Sequence, residues 1–214
     1  IGKGSVTLDD FNHAELVLVV GQNPGTNHPR MLSALRNTKI NGGQIICVNP
    51  LPEAGLIAFK DPQRPIDWLG KGTSLTDIYL PVRINGDLAL FKAILFLLNE
   101  KEILEPGSQF DWDFINSKTK GVDDLLENIK KQDFPFLVKE SGVNEDLIRK
   151  AANLIASKKK IIICWAMGLT QHKNAVANIQ ELVNLLLLKG SIGKKGAGTC
   201  PVRGHSNVQG DRTM

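Results

Sequence analysis

Residues 16–48 read LVLVVGQNPGTNHPRMLSALRNTKINGGQIICV, and this stretch decides the fold class. LVLVV (16–20) is an unbroken apolar run between polar flanks. A strand with one wet face would alternate; a run that is apolar at every position fits a strand covered on both faces, as in a parallel sheet. GQNPGTNHP follows as a loop, and PRMLSALRNTKINGG reads as a helix ended by Gly42 and Gly43. QIICV (44–48) is a second buried strand, stopped by Asn49-Pro50. Together these form a βαβ unit.

The alternation continues down the chain. A Pro- and Gly-rich loop containing Trp68 leads to a third strand, TDIYLPV, and then to an apolar helix, LALFKAILFLLNEK. GVNEDLIRKAANLIASKKK reads as a capped helix, KIIICW as a fourth strand, and AVANIQELVNLLLLKG as a helix closed by Gly190. The expected fold is α/β: a three-layer αβα, mainly parallel, doubly wound Rossmann-like sheet with strands at about 15–20, 44–48, 77–82 and 161–165. One domain over 1–214 is expected. Residues 105–145 read as a less regular insertion holding a short amphipathic helix, GVDDLLENIKKQD.

Composition sets the outer limits. A chain of 214 residues can bury roughly 70% of its unfolded surface and needs no disulfides. Twenty-six basic against 22 acidic residues give +4, which suits a small anionic ligand and is too weak to argue for nucleic acid. Cys47, Cys164 and Cys200 form no CxxC and show no metal-ligand spacing, so no metal site is expected. Cys47 and Cys164 sit in β-branched runs and read as inert buried thiols; a reducing cytoplasm is the natural compartment. No apolar run reaches the ~18–20 residues of a membrane span.

In an open parallel sheet, ligands bind beyond the carboxyl ends of the strands. There this sequence places Gly21, Asn23, Thr26 and Asn27; then Asn49; then Arg83, Asn85 and Asp87; then Met167, Gly168 and Gln171. Amides, hydroxyls, glycines and a carboxylate suit a polar heterocycle, sugar hydroxyls and phosphates. Each has a plainer reading. The first loop could be an ordinary strand–helix turn, Asn49-Pro50 a strand stop, Asp87 a helix N-cap, and Met167 a core residue. The first loop lacks GxGxxG, but as the opening of a helix it could offer unpaired N–H groups to a pyrophosphate.

These segments, taken in order, resemble one family. AELVLVVGQNPGTNHP, QIICVNP, INGDLALFKAI, CWAMGLTQH and PVRGHSNVQG are similar to the third domain of molybdopterin-dependent oxidoreductases of the dimethyl-sulfoxide-reductase superfamily, above all the formate-dehydrogenase-type alpha subunits. The resemblance runs from about residue 5 to 214, with only about 105–145 free of motif. It implies a bis-molybdopterin guanine dinucleotide cofactor around Mo or W, with this domain holding one of the two dinucleotides. It implies that Asn23, Thr26 and Asn27 contact phosphate and ribose, Asn49 ribose or guanine, and Asp87 guanine. Met167, Gly168 and Gln171 would lie near the pyrophosphate and pterin. Arg203 of the VRG triplet matches an arginine on the substrate side of the metal, where it would hold a small anion such as formate; His205 falls where formate dehydrogenases carry Gln. Gln209 continues the cofactor-side pattern.

Other departures stand beside the match. Asn49 replaces a frequent Asp and Leu51 a following Arg, and neither a Cys-rich 4Fe-4S segment nor a metal-ligating Cys or selenocysteine is present. The cluster is therefore expected in the parent chain only, and this chain as part of a larger subunit, inactive without its remaining domains. Residues 199–210 should run beside the metal and lack anchoring without it. The rivals are an NAD- or thiamine-enzyme domain and a non-catalytic interaction module with a flexible polar end.

Overall fold

Every residue of the first strand, β1 (Leu16–Val20), is buried. Leu16, Leu18 and Val20 join one hydrophobic core, and Val17 and Val19 join another. A strand with no wet face needs helices on both sides, and the run LVLVV meets that need. The computed structural model describes residues 4–62 and 72–203. Within them β2 (Gln44–Val48), β3 (Ile78–Leu80), β4 (Ile161–Trp165) and β5 (Gly198–Pro201) complete a sheet of order β3-β2-β1-β4-β5. All pairings are parallel. The chain winds outward from β1 to β3, returns to lay β4 beside β1, and winds the other way to β5. This is the three-layer αβα, doubly wound fold expected from the sequence, and β1–β4 is its switch point.

Short α1 (Pro24–Asn27) and α2 (Pro29–Ile40) join β1 to β2, and α3 (Ala54–Ile57) follows β2. Leu32 and Leu35 of α2 and Leu56 of α3 cover one face with Phe11. The other face is covered by α4 (Asp87–Leu104), α5 (Trp112–Lys118), α6 (Val122–Lys130), α7 (Phe134–Ser141) and α8 (Glu145–Ala156), with α9 (Met167–Thr170) and α10 (Ala175–Leu188) after β4. Among the described residues no helix is long and apolar enough to cross a membrane.

Two expectations need correction. Residues 105–145 are regular: they carry α5, α6 and α7, of which only α6 was legible. Asp111 caps α5 by accepting from Phe114 N–H (3.0 Å), and Asp133 caps α7 by accepting from Phe136 N–H (3.2 Å). Ile115, Ile129, Phe134 and Leu137 then join the core under α4. The turn that enters this region is folded around one carboxylate. Glu102 accepts from the N–H groups of Gly107 (2.6 Å), Gln109 (2.8 Å) and Phe110 (3.1 Å) and from Trp112 Nε1 (2.6 Å). Burial pushes this carboxyl up, but the four donors outweigh it and hold it below the ordinary glutamate value.

The second correction concerns the chain beyond residue 198. Gly198–Pro201 are not unanchored; they form β5, with Thr199 fully buried. Thr199 N–H donates to Ser5 Oγ (2.8 Å), and Ser5 N–H donates to the Thr199 carbonyl (2.9 Å). Val202 N–H continues the ladder to the Trp165 carbonyl (2.8 Å).

At the switch point the loops after β1 and β4 touch backbone to backbone. Gly168 N–H donates to the Gly21 carbonyl (3.1 Å), and Gly21 has φ +58°. A Cβ on Gly168 would lie 2.5 Å from the Gly21 oxygen, and one on Gly21 would lie 2.9 Å from the Gly168 carbonyl carbon. Neither position has room for a side chain. Gly168→Ala is therefore expected to destabilise the chain by about 1–3 kcal/mol. The check is urea denaturation, with a lower midpoint at unchanged slope; an unchanged midpoint would show that the two turns can separate freely.

Candidate functional site

The loops at the carboxyl ends of β1, β2, β3 and β4 surround one cleft of about 370 Å³. Its lining includes Gly21, Asn23, Asn27, Asn49, Asp87 and Gly168, brought together from four separate loops. Gln22, in the loop after β1, lines it as well, as do Glu53 and His172, which sequence reasoning passed over. His172 stands one residue beyond the expected Gln171, so its loop was found and its side chain was not. Glu53 lies in the Pro-rich stretch LPEAG and gives no signal of its own.

Several expected ligand residues turn out to be engaged inside the protein. Asn49 is buried, at 4% exposure. Its Nδ2 donates to the Gln22 carbonyl (2.9 Å), and its Oδ1 accepts from Gln22 N–H (3.1 Å). The side chain thus clamps the loop after β1 to the end of β2, as a strand would. Tyr79 on β3 adds a bond from its hydroxyl to the Asn49 carbonyl (2.8 Å). Asn23 caps α1 by accepting from Thr26 N–H (3.1 Å), while its Nδ2 donates to Glu53. The N–H groups of Gly21, Gln22, Thr26, Asn27 and His28 all donate within the protein. Most N–H groups of this turn are therefore engaged within the protein.

Thr26, Met167 and Gln171 do not line the cleft. All three are exposed, Met167 at 47%. Gly168 does line it, through its contact with Gly21. Arg203 lies apart, half-buried just past β5, where His28 Nε2 donates to its carbonyl (2.6 Å). His205 and Gln209 lie outside the described residues.

Asp87 is the group with most left to do. It is the first residue of α4; the N-cap is Gly86, pressed against the carbonyls of Ser141 and Arg83, so the N-cap reading of Asp87 is off by one position. The residue is 4% exposed. Among the described residues only its own backbone N–H donates to it, with His172 attracting it through space. Burial pushes its pKa up to about 6, and those two contacts do not offset the burial. Relative to an unfolded carboxyl, holding Asp87 ionised at neutral pH costs folding on the order of 3 kcal/mol, which protonation through pH 6 would restore. A second polar atom is buried without a partner among the described residues: Gln22 Oε1, while Gln22 Nε2 donates to Met31 Sδ (3.0 Å).

The cleft therefore presents acceptors. Two acidic residues, Asp87 and Glu53, line it, with His172 the basic side chain among the lining residues. Such a wall receives N–H and O–H donors, as on a base edge or a ribose, and repels phosphate. Among the described residues no group of three or more His, Cys, Asp or Glu could hold a metal ion.

Comparison with known proteins finds relatives over nearly the whole chain. An uncharacterized oxidoreductase of Mycobacterium tuberculosis (strain ATCC 25618 / H37Rv) is 50% identical over the whole of this chain, which spans 28% of its length. The F420-dependent formate dehydrogenase subunit alpha of Methanocaldococcus jannaschii is 30% identical over 98% of this chain and 28% of its own length. The fold is shared with acetylene hydratase from Pelobacter acetylenicus, at a TM-score of 0.72 and 21% identity, over 92% of this chain and 23% of that one. The profile of the molybdopterin oxidoreductases matches residues 3–213, from before β1 almost to the last residue. With that match over nearly its full length, and with the switch-point cleft in place, the chain belongs to the molybdopterin oxidoreductase family.

Proposed function

We propose that the cleft receives the guanosine end of a molybdopterin guanine dinucleotide, one of a pair held by a larger formate-dehydrogenase-like subunit. The observation that carries this reading is Asp87: a buried carboxylate, held ionised at a cost, facing a cleft with two oxygens to fill. Guanine presents N1–H and an exocyclic amine side by side, two donors that one carboxylate accepts together; adenine presents no such pair. Glu53 and Asn27 would face the ribose hydroxyls. The acceptor-rich lining also supports placing the nucleoside here and the phosphates towards the cleft mouth, near Met167 and Gln171. Asn49 acts as a clamp that fixes the loop after β1.

When bound, the metal–pterin centre supplies two-electron redox chemistry. The protein's part is to orient it and to hold the substrate. Arg203, with His205 two residues on, is the pair proposed for a small anionic substrate such as formate. A planar guanidinium grips a carboxylate at two points, which a lysine cannot do. The His28 bond to the Arg203 carbonyl supports this role, because it fixes the backbone from which the side chain extends. The formate-dehydrogenase relative supports formate as the substrate, although the shared fold also serves a protein named acetylene hydratase.

Digestion of the full-length protein should release GMP in proportion to bound Mo or W; release of AMP, CMP or no nucleotide would overturn the reading. Asp87→Asn replaces one acceptor oxygen with a donor. It should lower GMP and metal content at least ~10-fold, about 1.4 kcal/mol, within the range of a hydrogen bond to a charged group. Retention of guanosine nucleotide should also weaken as pH falls from 7 through about 6, since protonation removes the acceptor pair. The Asp87→Asn protein should show no such step. Arg203→Lys in the loaded enzyme should cut kcat/KM at least ~10-fold with cofactor content unchanged; normal turnover would make Arg203 a structural residue.

A further inference from the structure

Cys164 on β4 and Cys200 on β5 are partners in the parallel register. Neighbouring strands lie about 4.7–4.9 Å apart, inside the roughly 4.4–6.8 Å between Cα atoms that a disulfide spans. Register partners in a parallel pair point to the same face, and both cysteines join the core beneath α2. Each thiol perturbs the ionisation of the other.

The two are not equivalent. Cys164 is fully buried, whereas Cys200 is partly exposed on the wall of a groove of about 860 Å³ lined by Phe11, Met31, Ala34 and Val202. Burial and the neighbouring sulfur push the Cys164 thiol up; the neighbouring Cys164 thiol holds Cys200 below the ordinary thiol value against the effect of burial. Cys47 is a built-in contrast. It is buried on β2 with Val19 as its register partner, and burial pushes it up to about 12.

We propose that Cys164 and Cys200 form a peroxide-reactive dithiol that closes into a disulfide between β4 and β5. This goes beyond the cofactor reading and does not depend on it. The Cys200 thiolate attacks one oxygen of hydrogen peroxide; the O–O bond breaks, hydroxide leaves, and Cys200 becomes a sulfenic acid. Cys164 sulfur then displaces the sulfenic oxygen. The S–S bond forms, the S–O bond breaks, and the Cys164 proton leaves with that oxygen as water. Two thiols are oxidised by two electrons and one peroxide is reduced to two waters. The bond would pin β5 to β4 three residues before Arg203. A thiol reductant reverses it.

The test uses the full-length protein treated with hydrogen peroxide, then alkylated on unfolding and digested. Mass spectrometry should find a peptide joining Cys164 to Cys200, lost on reduction with dithiothreitol, with Cys47 still alkylated. In Cys164→Ser the reaction should stop at a sulfenic acid on Cys200 that dimedone traps. In Cys200→Ser, Cys164 should stay reduced. If peroxide-treated wild-type protein keeps both thiols alkylatable, or carries Cys200 sulfinic acid with no cross-link, the proposal is overturned. The wild-type result decides this even if either variant fails to fold.

Discussion

The contact between Gly21 and Gly168 is the constraint on which the rest of this site depends. The strand order makes β1 and β4 neighbours whose following loops leave on opposite sides of the sheet. The two turns meet at backbone distance, and no side chain fits between them. Asn49 then ties the next residue, Gln22, to the end of β2 through two hydrogen bonds. Three strands are thereby joined at their carboxyl ends before any ligand arrives. A cleft built this way is pre-organised, and binding need not order it.

What the scaffold leaves unmatched is as informative as what it satisfies. Most donors of the loop after β1 are engaged, while the Asp87 carboxylate and the Gln22 oxygen are buried without an outside donor among the described residues. A fold that needed only stability would not keep a desolvated carboxylate at the first turn of its longest described helix. The cost is repaid if a ligand brings a pair of N–H groups. A wall with two carboxylates would also repel phosphates.

The sheet was legible in the sequence because parallel strands buried on both faces have nowhere to hide polar residues. LVLVV, QIICV and IIICW are plain for that reason. β5 was not, because GTCP is short, has Gly and Pro at its ends, and is held by partners remote in the chain, β4 and Ser5. The helices α5 and α7 were missed for a related reason: each has at most eight residues, and their Asp111 and Asp133 caps carry little weight without a long apolar stripe. The loops of the candidate site were all found by their position after strands. Which side chains within them face the cleft was only partly legible. Asn49 and Asn23 line the cleft and also brace its loops, while Glu53 and His172 are ordinary polar residues until the fold brings them to it.

The central claim is that the acceptor-lined cleft at the β1–β4 switch point holds the guanosine end of the cofactor. A structure of the full-length protein loaded with its cofactor tests it most directly. The guanine edge should lie within about 3 Å of the Asp87 carboxylate oxygens, with the ribose between Glu53 and Asn27. A nucleotide bound elsewhere, or phosphates seated against Asp87 and Glu53, would contradict the account.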